Sequence, residues 1–227
     1  MNFKLTDRGG KVKLPLLTFP LHMVMLMGQT PLSTEEKMDY LLALDREVFL
    51  WINNKWANPY LDPLFSVITW LGNGWIIILL VVIFFAIKRP TYLRQHLPWL
   101  AAAMLLSGLC ILFIKKMVYR PRPLSDFAPL IAAGKVQIHV VGTHLWLKSF
   151  PSGHAQTAFA AGTYLSLLLP RWTPLFLALA TGVGLSRIYM GAHFPLDVII
   201  GGLVGIIFAW GVWLLRKKVQ RSSIPRS

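Results

Sequence analysis

Five long apolar runs, at residues 64–87, 97–114, 155–169, 173–185 and 198–215, constrain this chain more than any other feature of it. Their lengths span or nearly span a bilayer core about 30 Å thick, so each reads as a transmembrane helix. The first is interrupted by Gly72, Asn73 and Gly74. Composition agrees, since 55% of residues are hydrophobic and 14% charged, with a mean hydropathy of +0.56. A soluble domain carries roughly one-quarter charged residues. A sixth stretch, "LPLLTFPLHMVMLMG" at 14–28, is short and holds Pro20 and His22, which leaves it between a short span and an interfacial segment on hydropathy alone. No small-x-small cleavage site follows it, which disfavours a signal peptide. The single cysteine, Cys110, lies inside an apolar run and excludes an intramolecular disulfide.

The net charge of +14 could suggest nucleic acid, but cations beside membrane spans are first explained by orientation, and no nucleic-acid partner is expected. If the helices after residue 97 alternate in direction, the chain ends near 115, 153, 187 and 195 fall on one face. The opposite face then receives Lys88, Arg89, Arg94, Arg171, Arg216, Lys217, Lys218, Arg221 and Arg226. If 14–28 crosses, Lys4, Arg8, Lys11 and Lys13 join them, giving a net +12 there against +2 on the first face. The cation-rich face is therefore expected to be cytoplasmic, with both termini on it, and the same balance favours 14–28 as a real first span.

The expected architecture is all-α: a polytopic integral membrane bundle of six spans plus one interfacial amphipathic helix, forming a single domain over 1–227. Residues 1–13 and 216–227 would be cytoplasmic tails, and 61–215 the helical core. The interfacial helix is read over 33–56, where a possible Ser33 cap opens apolar residues at helical spacing interleaved with charge. "NPYLDP" at 58–63 would turn the chain into the membrane, and 124–150 is a second long connection on the same face.

Three clusters share that cation-poor face. "KKMVYRPRP" at 115–123 places Lys115, Lys116, Arg120 and Arg122 at a helix exit stiffened by Pro121 and Pro123. Single cations at a membrane boundary are ordinarily snorkelling residues, yet this face should be poor in them. "FPSGHAQTAFAAG" at 150–162 sets Ser152 as an N-cap with Gly153 and His154 in the first turn, where free N–H groups and the helix dipole favour an anion. "SRIYMGAHFPLD" at 186–197 carries Arg187, His193 and Asp197. The last two are four apart, close enough for a carboxylate to fix an imidazole tautomer, although an acid in a first turn also pairs with the dipole.

Together these ends supply Lys, Arg, two His and an Asp. Cations and helix-terminal amides suit the oxygens of a phosphoryl group, and two histidines can serve as nucleophile and acid. A divalent metal suits the set less, because two His and one Asp would stand among at least three cations. Metal-independent phosphoryl transfer is the expectation, with no cofactor.

These residues resemble the three-part signature of the type 2 phosphatidic acid phosphatase superfamily: Lys115 with six residues to Arg122-Pro123, then Pro151-Ser152-Gly153-His154, then Ser186-Arg187 with five residues to His193 and three more to Asp197. The likeness extends over the polytopic layout from about residue 40 onward. It implies that His193 attacks phosphorus, Asp197 orients it and His154 protonates the leaving oxygen. Lys115, Arg122, Ser152, Gly153 and Arg187 would hold the phosphoryl oxygens. Lys116 and Arg120 fall outside the signature and are assigned to headgroup phosphate nearby. The family further implies a membrane lipid phosphate or diphosphate as substrate, of the undecaprenyl diphosphate, phosphatidylglycerol phosphate, phosphatidate or lipid A kind. The setting would be a bacterial inner membrane with the site facing outward. A phosphotransferase of the same fold, or a non-enzymatic anion transporter, are the alternatives. His139, His144, Trp146 and Lys148 in the 124–150 connection are expected to shape headgroup selection.

Overall fold

In the computed structural model, residues 33–222 are described; the 14–28 segment and the first tail lie outside them. Helix α1, Thr34–Lys55, is closed at its start by a capping box. The Ser33 hydroxyl accepts from the Glu36 N–H at 3.2 Å, and the Glu36 carboxylate accepts from the Ser33 N–H at 2.9 Å. Phe49, Leu50 and Ile52 are buried, while Met38, Leu41, Leu44 and Trp51 are exposed.

Helices α2 (Leu61–Trp70) and α3 (Gly74–Lys88) meet at a 75° bend over the Gly72–Gly74 break. Asn73 makes the break possible by capping α3, its side chain accepting from the Trp75 N–H at 2.9 Å. Helix α4, Pro90–Met117, begins with proline at its first position and ends before Pro121. Two short helices follow, α5 (Pro123–Asp126) and α6 (Ala128–Ala132), and then an extended return to residue 152. Helix α7 (Gly153–Leu168), a 3₁₀ turn (Pro170–Trp172), α8 (Thr173–Tyr189) and α9 (Pro195–Ser222) complete the described chain.

The all-helical membrane architecture holds, and among the described residues two or three helices meet the length and hydropathy of a span, which leaves the count of six unconfirmed. Only α4 and α9 are long and apolar enough to cross a membrane, and the bent α2–α3 pair adds a third if taken as one span. Helices α7 and α8, with 16 and 17 residues, rise roughly 24–26 Å, at the lower limit for a span. A 3₁₀ turn at Pro170–Trp172 joins them, in the gap between the two apolar runs.

Helix α7 is the centre of the bundle, contacting α4, α8 and α9. Its Ala155, Ala158, Ala160, Ala161 and Tyr164 are buried. Small residues permit this, because lipid offers no hydrophobic drive for helices to associate and close backbone packing must supply the attraction. Gly201 and Gly205 of α9 lie against the Ser152 and Gln156 carbonyls of the α7 segment, where no Cβ fits. A polar tie joins α7 to α4, with Gln156 Nε2 donating to Ser107 Oγ at 2.5 Å. Leucines, phenylalanines and isoleucines on the outer sides of α3, α4 and α9 remain exposed, as a lipid-facing belt requires.

Replacing Gly205 by leucine should force α7 and α9 apart. Overpacking of about 1–3 kcal/mol implies a fall of roughly 2–12 °C in the thermal midpoint of the detergent-solubilised protein. Gly211→Leu, where no atom lies within 4 Å of the added Cβ, should leave the midpoint within about 1–2 °C of the wild type by the same measurement.

Candidate active site

Helix α8 ends in a Schellman motif: the Gly191 N–H reaches the Ile188 carbonyl at 3.1 Å and the Ala192 N–H the Arg187 carbonyl at 3.0 Å. Gly191 has φ +72°, and a Cβ there would press on the His139 carbonyl at 2.9 Å. The chain therefore reverses sharply and delivers His193 two residues before Pro195 opens α9. Asp197, third residue of α9, reaches back to the Phe194 N–H at 2.9 Å, a capping contact made by an acid.

That same oxygen, Oδ2, accepts from Ser149 Oγ at 2.5 Å and lies 3.5 Å from His193 Nδ1. Asp197 Oδ1 accepts from Arg120 Nη1 at 2.6 Å. On the other side of the imidazole, His193 Nε2 is 3.3 Å from Arg122 Nη1. Arginine can only donate, so Nε2 carries the lone pair and the proton of neutral His193 sits on Nδ1, facing Asp197. His193 is 3% exposed, and burial pushes its pKa down to about 3, against the pull of Asp197 and with Arg122 adding to the fall. It is a neutral base across the physiological range.

The remaining cations converge on the same place. Arg122 is fixed by its Nε to the Leu147 carbonyl at 2.8 Å and by Nη1 to the Ala192 carbonyl at 2.9 Å. Lys115 Nζ donates to the Lys148 carbonyl at 2.9 Å, at a residue with φ +57°. Arg187, 8% exposed, donates to Thr69 Oγ1 at 2.9 Å, and its Nε has no hydrogen-bond partner among the described residues. His154 stands half-buried within electrostatic range of Arg187, Arg122 and Lys115. Ser152 is the N-cap of α7, and the Gly153 and His154 N–H groups have no partner among the described residues.

So Lys115, Arg122, Ser152, Gly153, His154, Arg187, His193 and Asp197 are brought together at one end of the bundle. Lys116 is exposed beside them. Arg120 departs from its expected headgroup role: its guanidinium lies between Asp197 and Asp45, with one arm on each. His139 is tied to Asp62 at 2.8 Å instead of standing free, while Trp146 holds Arg122 through its carbonyl at 3.1 Å. Sequence reasoning passed over Asp45, Thr69 and Ser149. Each contacts a site residue from a distant part of the chain, and only Ser149 lies near a motif, two residues before Pro151. Among the described residues, no three His, Cys, Asp or Glu side chains gather as metal ligands would.

The PAP2 superfamily profile matches residues 96–221, which include the eight converging residues from Lys115 to Asp197, while Asp45, Asp62 and Thr69 precede it. The chain belongs to the PAP2 superfamily. It is 30% identical to the lipid A 1-phosphatase of Rhizobium etli over 156 residues, 62% of this chain and 62% of that protein. It therefore spans about three-fifths of the length of that relative. With phosphatidylglycerophosphatase B of Bacillus subtilis it shares 30% identity over 179 residues, covering 72% of this chain and 79% of the other. The crystal structure of Aquifex aeolicus LpxE superposes with a TM-score of 0.61 at 31% identity, over 75% of this chain and 94% of that one. The PAP2 membership agrees with the motif resemblance, and the apolar helices make the chain an integral membrane protein.

The depressed His193 value has a stability consequence. An unfolded histidine takes its proton near pH 6.5, whereas the folded one resists until about pH 3. Between those values the unfolded state binds more protons, so stability falls as pH falls. From pH 6.5 to 5 this should remove about 2 kcal/mol. Thermal midpoints of wild type and His193→Gln should converge as pH drops through this window; parallel curves would mean that His193 protonates freely.

Proposed function

We propose that this protein is a metal-independent lipid phosphatase that hydrolyses the phosphomonoester or diphosphate of a membrane lipid through a phosphohistidine. The observation that carries the reading is the tautomer of His193. Its lone pair on Nε2 points at Arg122, a phosphoryl ligand by position, while Nδ1–H is held by a carboxylate behind it. A nucleophile aimed into a cluster of cations is the arrangement that attack on a phosphoryl group needs.

The steps follow. Lys115, Arg122 and Arg187, with the Gly153 N–H and the Ser152 hydroxyl, hold the non-bridging oxygens. His193 Nε2 forms a bond to phosphorus as the bond to the leaving oxygen breaks. Burial and the Arg187, Arg122 and Lys115 charges push the His154 pKa down to about 4, so His154 takes up its proton once the phosphoryl dianion offsets those charges and then gives it to the leaving oxygen. Asp197 stabilises the positive charge that develops on His193. Water, deprotonated by His154, then attacks phosphorus, the P–N bond breaks, and inorganic phosphate leaves with His193 restored. The Arg187 Nε supplies a donor that no atom of the described residues occupies.

Membrane lipids as substrates are supported by the surroundings. An apolar groove of about 300 Å³ runs between the α2–α3 bend, α7 and α8. It starts beside His154, at Leu71, Ala158 and Val183, and ends at Leu169 and Trp172. Such a groove suits a hydrocarbon chain whose phosphate stands at the site. The relatives' activities on lipid A and phosphatidylglycerophosphate support the class of substrate, and undecaprenyl diphosphate and phosphatidate complete the set to be assayed. The asymmetry of basic residues supports an outward-facing site in a bacterial inner membrane, with both termini cytoplasmic.

Purified wild type should release phosphate from at least one of these four lipids without an acceptor lipid and in excess chelator. His193→Ala should abolish release, and His154→Ala should reduce kcat about 100- to 1000-fold. Wild type quenched in alkaline denaturant should carry label from a phosphate-labelled lipid on His193, since the P–N bond of phosphohistidine survives alkali but not acid. Activity in His193→Ala would end the mechanism, chelator inhibition would restore a metal, and release only with an acceptor would make the protein a transferase.

A further inference from the structure

Asp197 is fully buried and its two oxygens are unequally served. Oδ2 faces His193, Ser149 and the Phe194 N–H, whereas among the described residues Oδ1 has Arg120 alone. Arg120 is itself held from two sides. Its other arm donates to Asp45 Oδ2, and its guanidinium stacks 4.4 Å above the Phe194 ring. The Ser149 N–H fixes the Arg120 carbonyl at 2.9 Å, so the residue that donates to Oδ2 is tied to the one that donates to Oδ1.

We propose that Asp45 and Arg120 are positioning residues for the reaction: Arg120 occupies Oδ1 of Asp197, and Asp45 holds Arg120, so that Oδ2 stays committed to His193. This rests on the phosphatase reading above. A carboxylate that loses the sole partner of one buried oxygen turns to recover it from neighbouring donors. The nearest available donors are those of Oδ2, and the imidazole would lose its alignment with them. Displacement of a reacting group by about 1 Å is enough for a roughly 100-fold loss of rate.

Asp45 has a second duty that must be separated from this one. Phe194 stands where an N-cap would and has no side-chain acceptor, and Asp45 Oδ1 takes the Leu196 N–H at 2.8 Å in its place. Asp45 is therefore a cap supplied to α9 by another helix. Asp45→Asn retains an oxygen for Leu196 and removes the charge from Arg120, so it tests the relay with the cap kept. Burial raises the Asp45 pKa, opposed by Arg120 and the Leu196 N–H, and removal of Arg120 leaves that carboxyl without its ion partner. For this reason Arg120→Lys accompanies Arg120→Gln, since it keeps the charge but lacks a fork that reaches both carboxylates.

The experiment measures kcat and KM for phosphate release from the lipid that wild type turns over fastest, together with thermal midpoints in detergent. Arg120→Gln should lower kcat about 100-fold and Asp45→Asn about 10-fold, with KM changed less than about 3-fold. Arg120→Lys should fold, with a midpoint lowered less than that of Arg120→Gln, and still lose about 10-fold in kcat. The double variant Asp45→Asn with Arg120→Gln should fall no further than Arg120→Gln alone, because both act through one link. Raised KM with unchanged kcat would overturn the proposal and return Arg120 to headgroup binding. So would full kcat in Arg120→Lys, or additive losses in the double variant. Absence of phosphate release by wild type from all four lipids would instead remove the phosphatase reading itself.

Discussion

A carboxylate with no exposed surface, at the head of a membrane helix, must be fully paired or it destabilises the fold. Asp197 meets this condition with donors from three parts of the chain: Arg120 from the α4 exit, Ser149 from the long return loop, and Phe194 and His193 from its own turn. Satisfying Arg120 in turn draws in Asp45 from α1. The interfacial helix, the loop and the last helix are thus locked by one buried network. The geometry that would orient a nucleophile is the geometry that closes this end of the bundle.

The other end of the constraint is packing. A central helix as short as α7 cannot be secured by lipid on all sides, and its neighbours approach until backbone meets backbone at Gly201 and Gly205. This closeness has a consequence at the site. The Ser152 carbonyl that Gly201 contacts belongs to the N-cap of α7, and the Ser152 N–H donates to the Asp197 carbonyl at 2.9 Å. The α7 amides and the α9 carboxylate are consequently held in fixed relation by main-chain atoms. Side-chain substitutions near the site can change its charge while leaving that frame in place.

Residues whose chemistry is local were legible in the sequence. Ser152 before a helical run, His193 four residues from Asp197, and Lys115 and Arg122 at a proline-stiffened exit each declare themselves within a few positions. The bend at Gly72–Gly74 was visible as a break in an apolar run, though its 75° angle was not. The break between 155–169 and 173–185 was legible too, and a 3₁₀ turn at Pro170–Trp172 fills it, while the helices on either side extend a few residues past the apolar runs. Asp45 was hidden for a deeper reason. On an amphipathic helix crowded with Glu35, Glu36, Asp39 and Glu47 nothing marks one acid as buried, and its partners are 75 and 151 residues away. Arg120 was misplaced by the same logic, since a cation at a membrane boundary has the same appearance whether it faces lipid or a carboxylate.

Counting the buried and half-buried charges explains why this end of the bundle calls for an anion. Among the described residues, Lys115, Arg120, Arg122 and Arg187 face only Asp45 and Asp197, and both carboxylates are engaged by Arg120. The other three cations are bonded to carbonyl and hydroxyl oxygens, which disperse charge without cancelling it. Burial lowers the Arg122 pKa, the response of a cation that lacks a full counter-charge. The excess of two positive charges is what a phosphomonoester dianion would neutralise. Such a ligand would gain from relieving that repulsion as well as from its own hydrogen bonds. A more dispersed negative charge in the transition state, spread over three equatorial oxygens, would meet all three cations at once, so the excess favours the transition state over a substrate held by fewer of them.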